Sequence, residues 1–176
     1  MKTLVIHPSD RSTDFLKAIY KDKDYEIIND IRDKAYIRER IKANDKIIMM
    51  GHGTPSGLMA IHNGRCLGFA IDNSFAELLR TKETISIWCW SDEYFRRHNI
   101  KGFHTGMIIS EVSEAMWAVN EKFTSEFVLD NMNRFAKIVG ECIEKEPKVM
   151  QKYILDNYVG EDSITKFNRN NIIVLD

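Results

Sequence analysis

With 176 residues, 44% of them hydrophobic, the chain is long enough for one α/β domain with a sizeable core and leaves little room for a second. Its 25 basic and 26 acidic residues leave a formal net charge of -1 and no dominant basic stripe, which argues against a nucleic-acid partner. Only Thr3-Leu4-Val5-Ile6 separates Met1-Lys2 from His7-Pro8, too short for a signal-peptide core or a membrane span. The three cysteines (Cys66, Cys89, Cys142) form no Cys-x-x-Cys pair, so the expectation is a cytoplasmic protein with no membrane partner.

Thr3-Leu4-Val5-Ile6 reads as a first buried strand, with His7-Pro8-Ser9-Asp10-Arg11 as its exit loop. Ser12 or Thr13 can cap a helix carrying Phe15, Leu16, Ala18 and Ile19 on one side. Tyr25-Glu26-Ile27-Ile28 is a second strand, and Ile31, Ala35, Ile37 and Ile41 recur at helical spacing. Ile47-Ile48-Met49-Met50 is a third strand, so the opening order is strand, helix, strand, helix, strand. That order predicts a parallel sheet with right-handed crossovers, of doubly wound 2-1-3-4-5 type.

The next apolar runs, 58–61 and 66–71, flank Asn63-Gly64, a dipeptide that favours a tight turn, and predict an inserted β-hairpin. Asp72 or Asn73 caps a helix to about Arg80, and Ile85-Ser86-Ile87-Trp88 is a fourth strand ending on Cys89. Ser91-Asp92-Glu93 opens another helix, and Gly106-Met107-Ile108-Ile109 reads as a fifth strand. Ser110 can cap a helix with Val112, Met116 and Val119 inward. Val128, Met132, Phe135, Val139 and Cys142 mark the longest helix, and after Pro147 comes one with Val149, Met150, Tyr153 and Ile154. Ile172-Ile173-Val174-Leu175 closes the chain as a last strand or a packed tail. No repeat or linker interrupts the series, so residues 1–176 read as a single domain.

Two strand ends carry chemistry. The third strand runs into Gly51-His52-Gly53, and the fourth delivers Cys89 thirty-seven positions later. In a 2-1-3-4-5 sheet these strands are neighbours, so an imidazole and a thiol leave the same carboxyl edge, where such folds place their sites. The pair makes a base and a nucleophile: the imidazole takes the thiol proton and the sulfur attacks a carbonyl carbon. Gly53 lets the backbone approach a substrate, and its N–H with that of Cys89 can line an oxyanion hole. His7, Trp90 and Thr105 stand at neighbouring strand ends as candidate substrate contacts, with His104 and Ser110 near the far side.

An apolar strand ending in His-Gly, followed some tens of residues later by one ending in Cys, resembles the caspase-like cysteine peptidases: caspases, metacaspases, legumains, clostripain and gingipains. The resemblance covers roughly residues 3–110 and implies a three-layer α/β sandwich with Cys89 as nucleophile and His52 as general base. It also implies a peptide or protein substrate and an oxyanion hole from the Gly53 and Cys89 amides. Arg11 lies in the loop corresponding to the one from which caspases contribute an arginine to the specificity pocket. The chain departs from the pattern in carrying Trp88 and Trp90 on either side of Cys89, where the family usually has a small preceding residue.

Two other readings compete. One is a non-catalytic protein-binding module on the same sheet. The other takes Gly51-His52-Gly53-Thr54-Pro55 as similar to the metal-binding loop of cobalt and iron chelatases, although those proteins carry the histidine on their first strand. The histidines and cysteines do not cluster at ligand spacing, and the loop after the first strand has no glycine fingerprint for a nucleotide or dinucleotide. No metal and no cofactor are therefore expected.

Overall fold

Strand β3 (Lys46–Met50) is buried at every position, and its side chains divide by parity. Ile48 and Met50 enter one core, whereas Ile47 and Met49 enter another on the opposite face. A strand apolar on both sides needs helices on both sides, which is why the run shows no polar alternation. The structure, a computed structural model, describes residues 1–31, 33–62 and 64–176.

Strands β1 (Thr3–Ile6) and β7 (Glu83–Ile87) flank β3 in parallel, placing Ile48 beside Val5 and Ile85. β2 (Glu26–Ile28) pairs outside β1, and β8 (Gly102–Thr105) lies outside β7, both in parallel. β9 (Ile172–Leu175) closes the far edge antiparallel to β8, giving the order β2-β1-β3-β7-β8-β9. The first five strands of this sheet therefore follow the expected 2-1-3-4-5 order, and the tail is a strand. A second sheet, β4 (Gly53–Thr54), β5 (Gly57–His62) and β6 (Arg65–Ile71), forms the inserted hairpin. Its strands pair His62 with Arg65; Asn63, half of the expected turn dipeptide, lies outside the described residues.

Helices cover both faces. A 3₁₀ helix (Arg11–Ile19), α5 (Ser125–Cys142) and α6 (Pro147–Asn157) enclose the core around Val5, Ile48, Met50, Ile87 and Phe103. α1 (Lys34–Ala43), the short α2 (Ala76–Leu79) and α3 (Ser91–Arg97) enclose the other, around Leu4, Ile6, Ile47, Met49 and Trp88. α4 (Val112–Val119) and α7 (Ser163–Asn170) meet at one end over Ile109, Ala115, Val128 and Ile164.

Three readings need correction. The expected fifth strand at 106–109 is not one: the strand is Gly102–Thr105, and the run after it is buried in irregular backbone. Burial alone made that run look like a strand, because an apolar tetrapeptide has no period of its own. The helix after Ser110 is capped by Glu111 in a capping box with Glu114, and it buries Ala115 while Met116 stays 37% exposed. The expected N-cap Ser12 is the second residue of its helix, which Asp10 caps through the Ser12 N–H. α7 gave no apolar stripe to read, because its buried face includes the polar Thr165 and Asn168. Among the described residues no helix is long and apolar enough to cross a membrane.

Candidate functional site

Parallel pairing sends β1, β3, β7 and β8 out of the same sheet edge, so their exit segments converge. Gly51, with φ +136, leaves β3 in a conformation that side-chain-bearing residues rarely adopt, and its N–H is held by the Ile87 carbonyl of β7 at 3.1 Å. The next residue is His52, whose carbonyl accepts from the Met59 N–H at 2.9 Å. β7 of the main sheet and β5 of the second sheet thus fix the backbone that carries the imidazole.

Cys89 stands on a turn closed by the Ser91 N–H donating to the Trp88 carbonyl at 3.2 Å. Trp90 completes this strand-to-helix turn with φ 60 and ψ 31, a left-handed conformation that is strained for a bulky residue. Trp88 borders the same cleft as Cys89. Trp88 is buried in the core beneath α3, edge-on to Tyr94 and tilted on Phe95, with its Nε1–H donating to the Thr54 carbonyl. Trp90 packs edge-on against the exposed Trp117.

His52 and Cys89 border one cleft, whose other walls come from the 3₁₀ helix (Thr13, Phe15, Leu16), the 106–110 segment (Ile108, Ser110) and α5 (Met132, Phe135). They make no hydrogen bond to each other, contrary to the direct contact their roles lead one to expect. His52 Nε2 shares a 2.6 Å hydrogen bond with Ser12 Oγ and lies 3.4 Å from Asp10 Oδ2. The Cys89 thiol donates to the Ile108 carbonyl at 3.7 Å. Burial pushes that thiol up to about 11, and the carboxylates of Glu114 and Glu111 add to the effect, so the resting sulfur is a neutral S–H at neutral pH.

The remaining candidates lie elsewhere. His7 is buried, with Nδ1 2.9 Å from Tyr20 Oη and Nε2 3.1 Å from Thr13 Oγ1, so both ring nitrogens serve the core. Thr105 is fully buried and donates its hydroxyl to the Trp88 carbonyl. Arg11 is exposed and lines a separate polar groove with Asp14, Lys17 and Gly64. Gly53 sits under the Trp88 indole, which leaves no space for a Cβ, so packing already accounts for this glycine. Among the described residues no three His, Cys, Asp or Glu side chains cluster closely enough to hold a metal ion.

Four of the contributors were not foreseen. Ser12 reads from sequence as a helix cap; because Asp10 takes that role, the Ser12 hydroxyl is free for His52. Met132 and Phe135 line the cleft from a helix that reads only as core packing. Asn168, fully buried on α7, accepts from the Ile109 N–H at 2.7 Å and donates to the Ile109 carbonyl at 3.1 Å. This clamp holds the segment that supplies Ile108 to Cys89. Asn168→Ala is expected to destabilise the fold by about 2–4 kcal/mol, because it orphans two buried backbone groups. An unchanged urea midpoint would remove the clamp from the account. The chain matches no protein-family model and no curated protein sequence.

Proposed function

We propose that the protein is a cysteine peptidase on a caspase-like α/β fold, with Cys89 as nucleophile and His52 as general base. One observation carries this reading: His52 and Cys89 follow adjacent parallel strands and border a single cleft at their common edge. The strained Trp90 beside the sulfur adds support, since such conformations cluster where a site dictates the backbone. In the reaction His52 leaves Ser12 and takes the thiol proton as sulfur bonds to the carbonyl carbon. The amides of Gly53 and Cys89 receive the oxyanion, as the family resemblance implies. The C–N bond then breaks, the amine leaves with the proton from His52, and water hydrolyses the thioester.

A non-catalytic binding module is the second reading. It is favoured by the raised thiol and by an imidazole already bonded to Ser12. Iodoacetamide separates the two readings. Accessibility alone makes the exposed Cys66 the fastest of the three thiols and the buried Cys142 the slowest. The peptidase reading expects Cys89 to outpace Cys66, and expects His52→Ala to slow Cys89 by about 10-fold or more while leaving Cys66 unchanged. Peptide mapping by mass spectrometry reads the outcome, and labelling of Cys89 that ignores His52 favours the binding module.

A further inference from the structure

We infer a second activity at the same sheet edge: Ser12 and His52 form a hydroxyl–imidazole dyad that hydrolyses carboxylic esters. It rests on the peptidase reading only in taking His52 as the base, and it does not use Cys89. Ser12 Oγ lies 2.6 Å from His52 Nε2, a separation over which an imidazole takes the proton of a serine nucleophile. In the tautomer with the ring proton on Nδ1, the hydroxyl donates to Nε2 and the transfer runs along a bond already made. Ser12 is exposed and the His52 side chain is 30% exposed, so a substrate can reach both. The contacts of Thr13 with His7 and of Ser86 with His104 pair the same chemical groups but are sealed in the core.

Both partners are held in place before any substrate arrives. Asp10 accepts the Ser12 N–H at 3.2 Å, so the Ser12 hydroxyl caps nothing, and among the described residues His52 is its hydrogen-bond partner. Next to it Thr13 is anchored in the core by its hydroxyl, 3.1 Å from His7 Nε2. The backbone of His52 is tied to β7 through the Gly51 N–H and to β5 through its own carbonyl. A nucleophile and base fixed in this way need no costly search for one another. Asp10 Oδ2, 3.4 Å from Nε2, stabilises the positive charge that the ring gains with the proton.

In the reaction Ser12 Oγ bonds to the acyl carbon while its proton passes to His52 Nε2. The C–O bond to the alcohol breaks, and the alcohol leaves with that proton. Water then attacks the acyl-serine and gives a proton to His52; Ser12 Oγ departs, recovers that proton, and the carboxylic acid is released. The class is an ester and not an amide for a structural reason. Among the described residues no group hydrogen-bonds His52 Nδ1, so the third member that orients the base in a full triad is missing. A dyad of this kind is restricted to the better leaving group, and an alkoxide leaves far more readily than an amine.

The test is turnover of p-nitrophenyl acetate by the full chain, with the reacting residue mapped by a fluorophosphonate. With that reagent Ser12 Oγ displaces fluoride at phosphorus, and the hydroxyl proton passes through His52 to the buffer. Ester turnover is expected to fall about 10-fold or more in Ser12→Ala and in His52→Ala, and labelling of Ser12 to fall as far in His52→Ala. Ser12→Ala keeps the N–H that Asp10 accepts, so the start of its helix survives. Ser9→Ala removes another exposed hydroxyl of the same loop and should leave turnover unchanged. If Ser12→Ala turns over the ester as the parent does, or the fluorophosphonate modifies Ser12 no faster than Ser9, the esterase assignment falls. The peptidase reading is then still decided separately, by iodoacetamide at Cys89. If neither Ser12 nor Cys89 reacts in a His52-dependent way, both fall.

Discussion

Lowering the pH from about 7 to about 5 is expected to remove about 4 kcal/mol of folding stability, and about 6 kcal/mol by about pH 4. Two core histidines cause this. Burial lowers the His7 imidazole to about 4, with the Lys17 charge adding to the effect against smaller opposing contributions from Asp14 and Asp10. Burial lowers His104 to about 3, with Arg96 adding to it. His104 Nδ1 shares a 2.7 Å hydrogen bond with Ser86 Oγ, its ring stacks on Phe95, and its Nε2 is buried with no partner. An added proton there would meet no acceptor.

The unfolded chain takes a proton on each ring near about pH 6.5, whereas the folded chain refuses it until pH has fallen well below that value. Between these limits the unfolded state binds more protons. The contribution is therefore complete above about pH 6.5 and is lost as pH falls toward the folded values. Against the total of roughly 5–15 kcal/mol typical of a domain, such a loss is large. Urea midpoints at about pH 7 and pH 5 measure it directly. His104→Asn should flatten the slope even if the variant is weaker at neutral pH, and an equal midpoint at both pH values in the parent protein contradicts the mechanism.

The same two residues show where sequence reasoning reaches its limit. Strand β3 was legible because four consecutive apolar core positions, Ile47 to Met50, leave a composition that water-facing segments do not have. From such runs and the helices between them a parallel sheet with right-handed crossovers followed, whereas the 2-1-3-4-5 order rests on a common arrangement for that pattern, and the structure has it. Histidine carries no comparable signal. His7 and His104 sit at strand ends in sequence much as His52 does, yet the first two are sealed in the core and the third is 30% exposed at the side chain. What separates them is tertiary: Tyr20 and Thr13 close over His7, and α3 covers His104 through Phe95.

The candidate site was legible to the same depth. That His52 and Cys89 share an edge follows from strand order; what each hydrogen-bonds does not. Ser12 reaches His52 only because Asp10 caps the helix, a choice between two good N-cap residues two positions apart that composition cannot make. The walls of the cleft come from Met132 and Phe135, more than forty residues beyond Cys89, on a face indistinguishable in pattern from the rest of α5. Their part in the site is fixed by how α5 packs on the 3₁₀ helix, which no local window records.

Gly53→Ala is expected to cost about 2–4 kcal/mol, at the upper end for an added methyl, and to disturb Cys89 as well. A Cβ at position 53 would stand well under 3.0 Å from Cδ1, Cγ and Nε1 of Trp88. The indole has no escape: it is 2% exposed, wedged by Tyr94 and Phe95, and tied to the Thr54 carbonyl at 3.2 Å. Relief must come either from the backbone of residues 52–54, which carries His52, or from Trp88, whose carbonyl closes the turn under Cys89. Both routes lead into the site, so the Gly53→Ala protein should label Cys89 at an altered rate even under conditions where it stays folded. A double-mutant cycle isolates the collision. Trp88→Leu removes the ring, and Gly53→Ala should then cost about 1 kcal/mol or less, a coupling of about 2 kcal/mol between residues thirty-five positions apart. If the two substitutions prove additive, the glycine is required by something other than the indole, and close approach of a substrate to the Gly53 amide becomes the physical reason left standing.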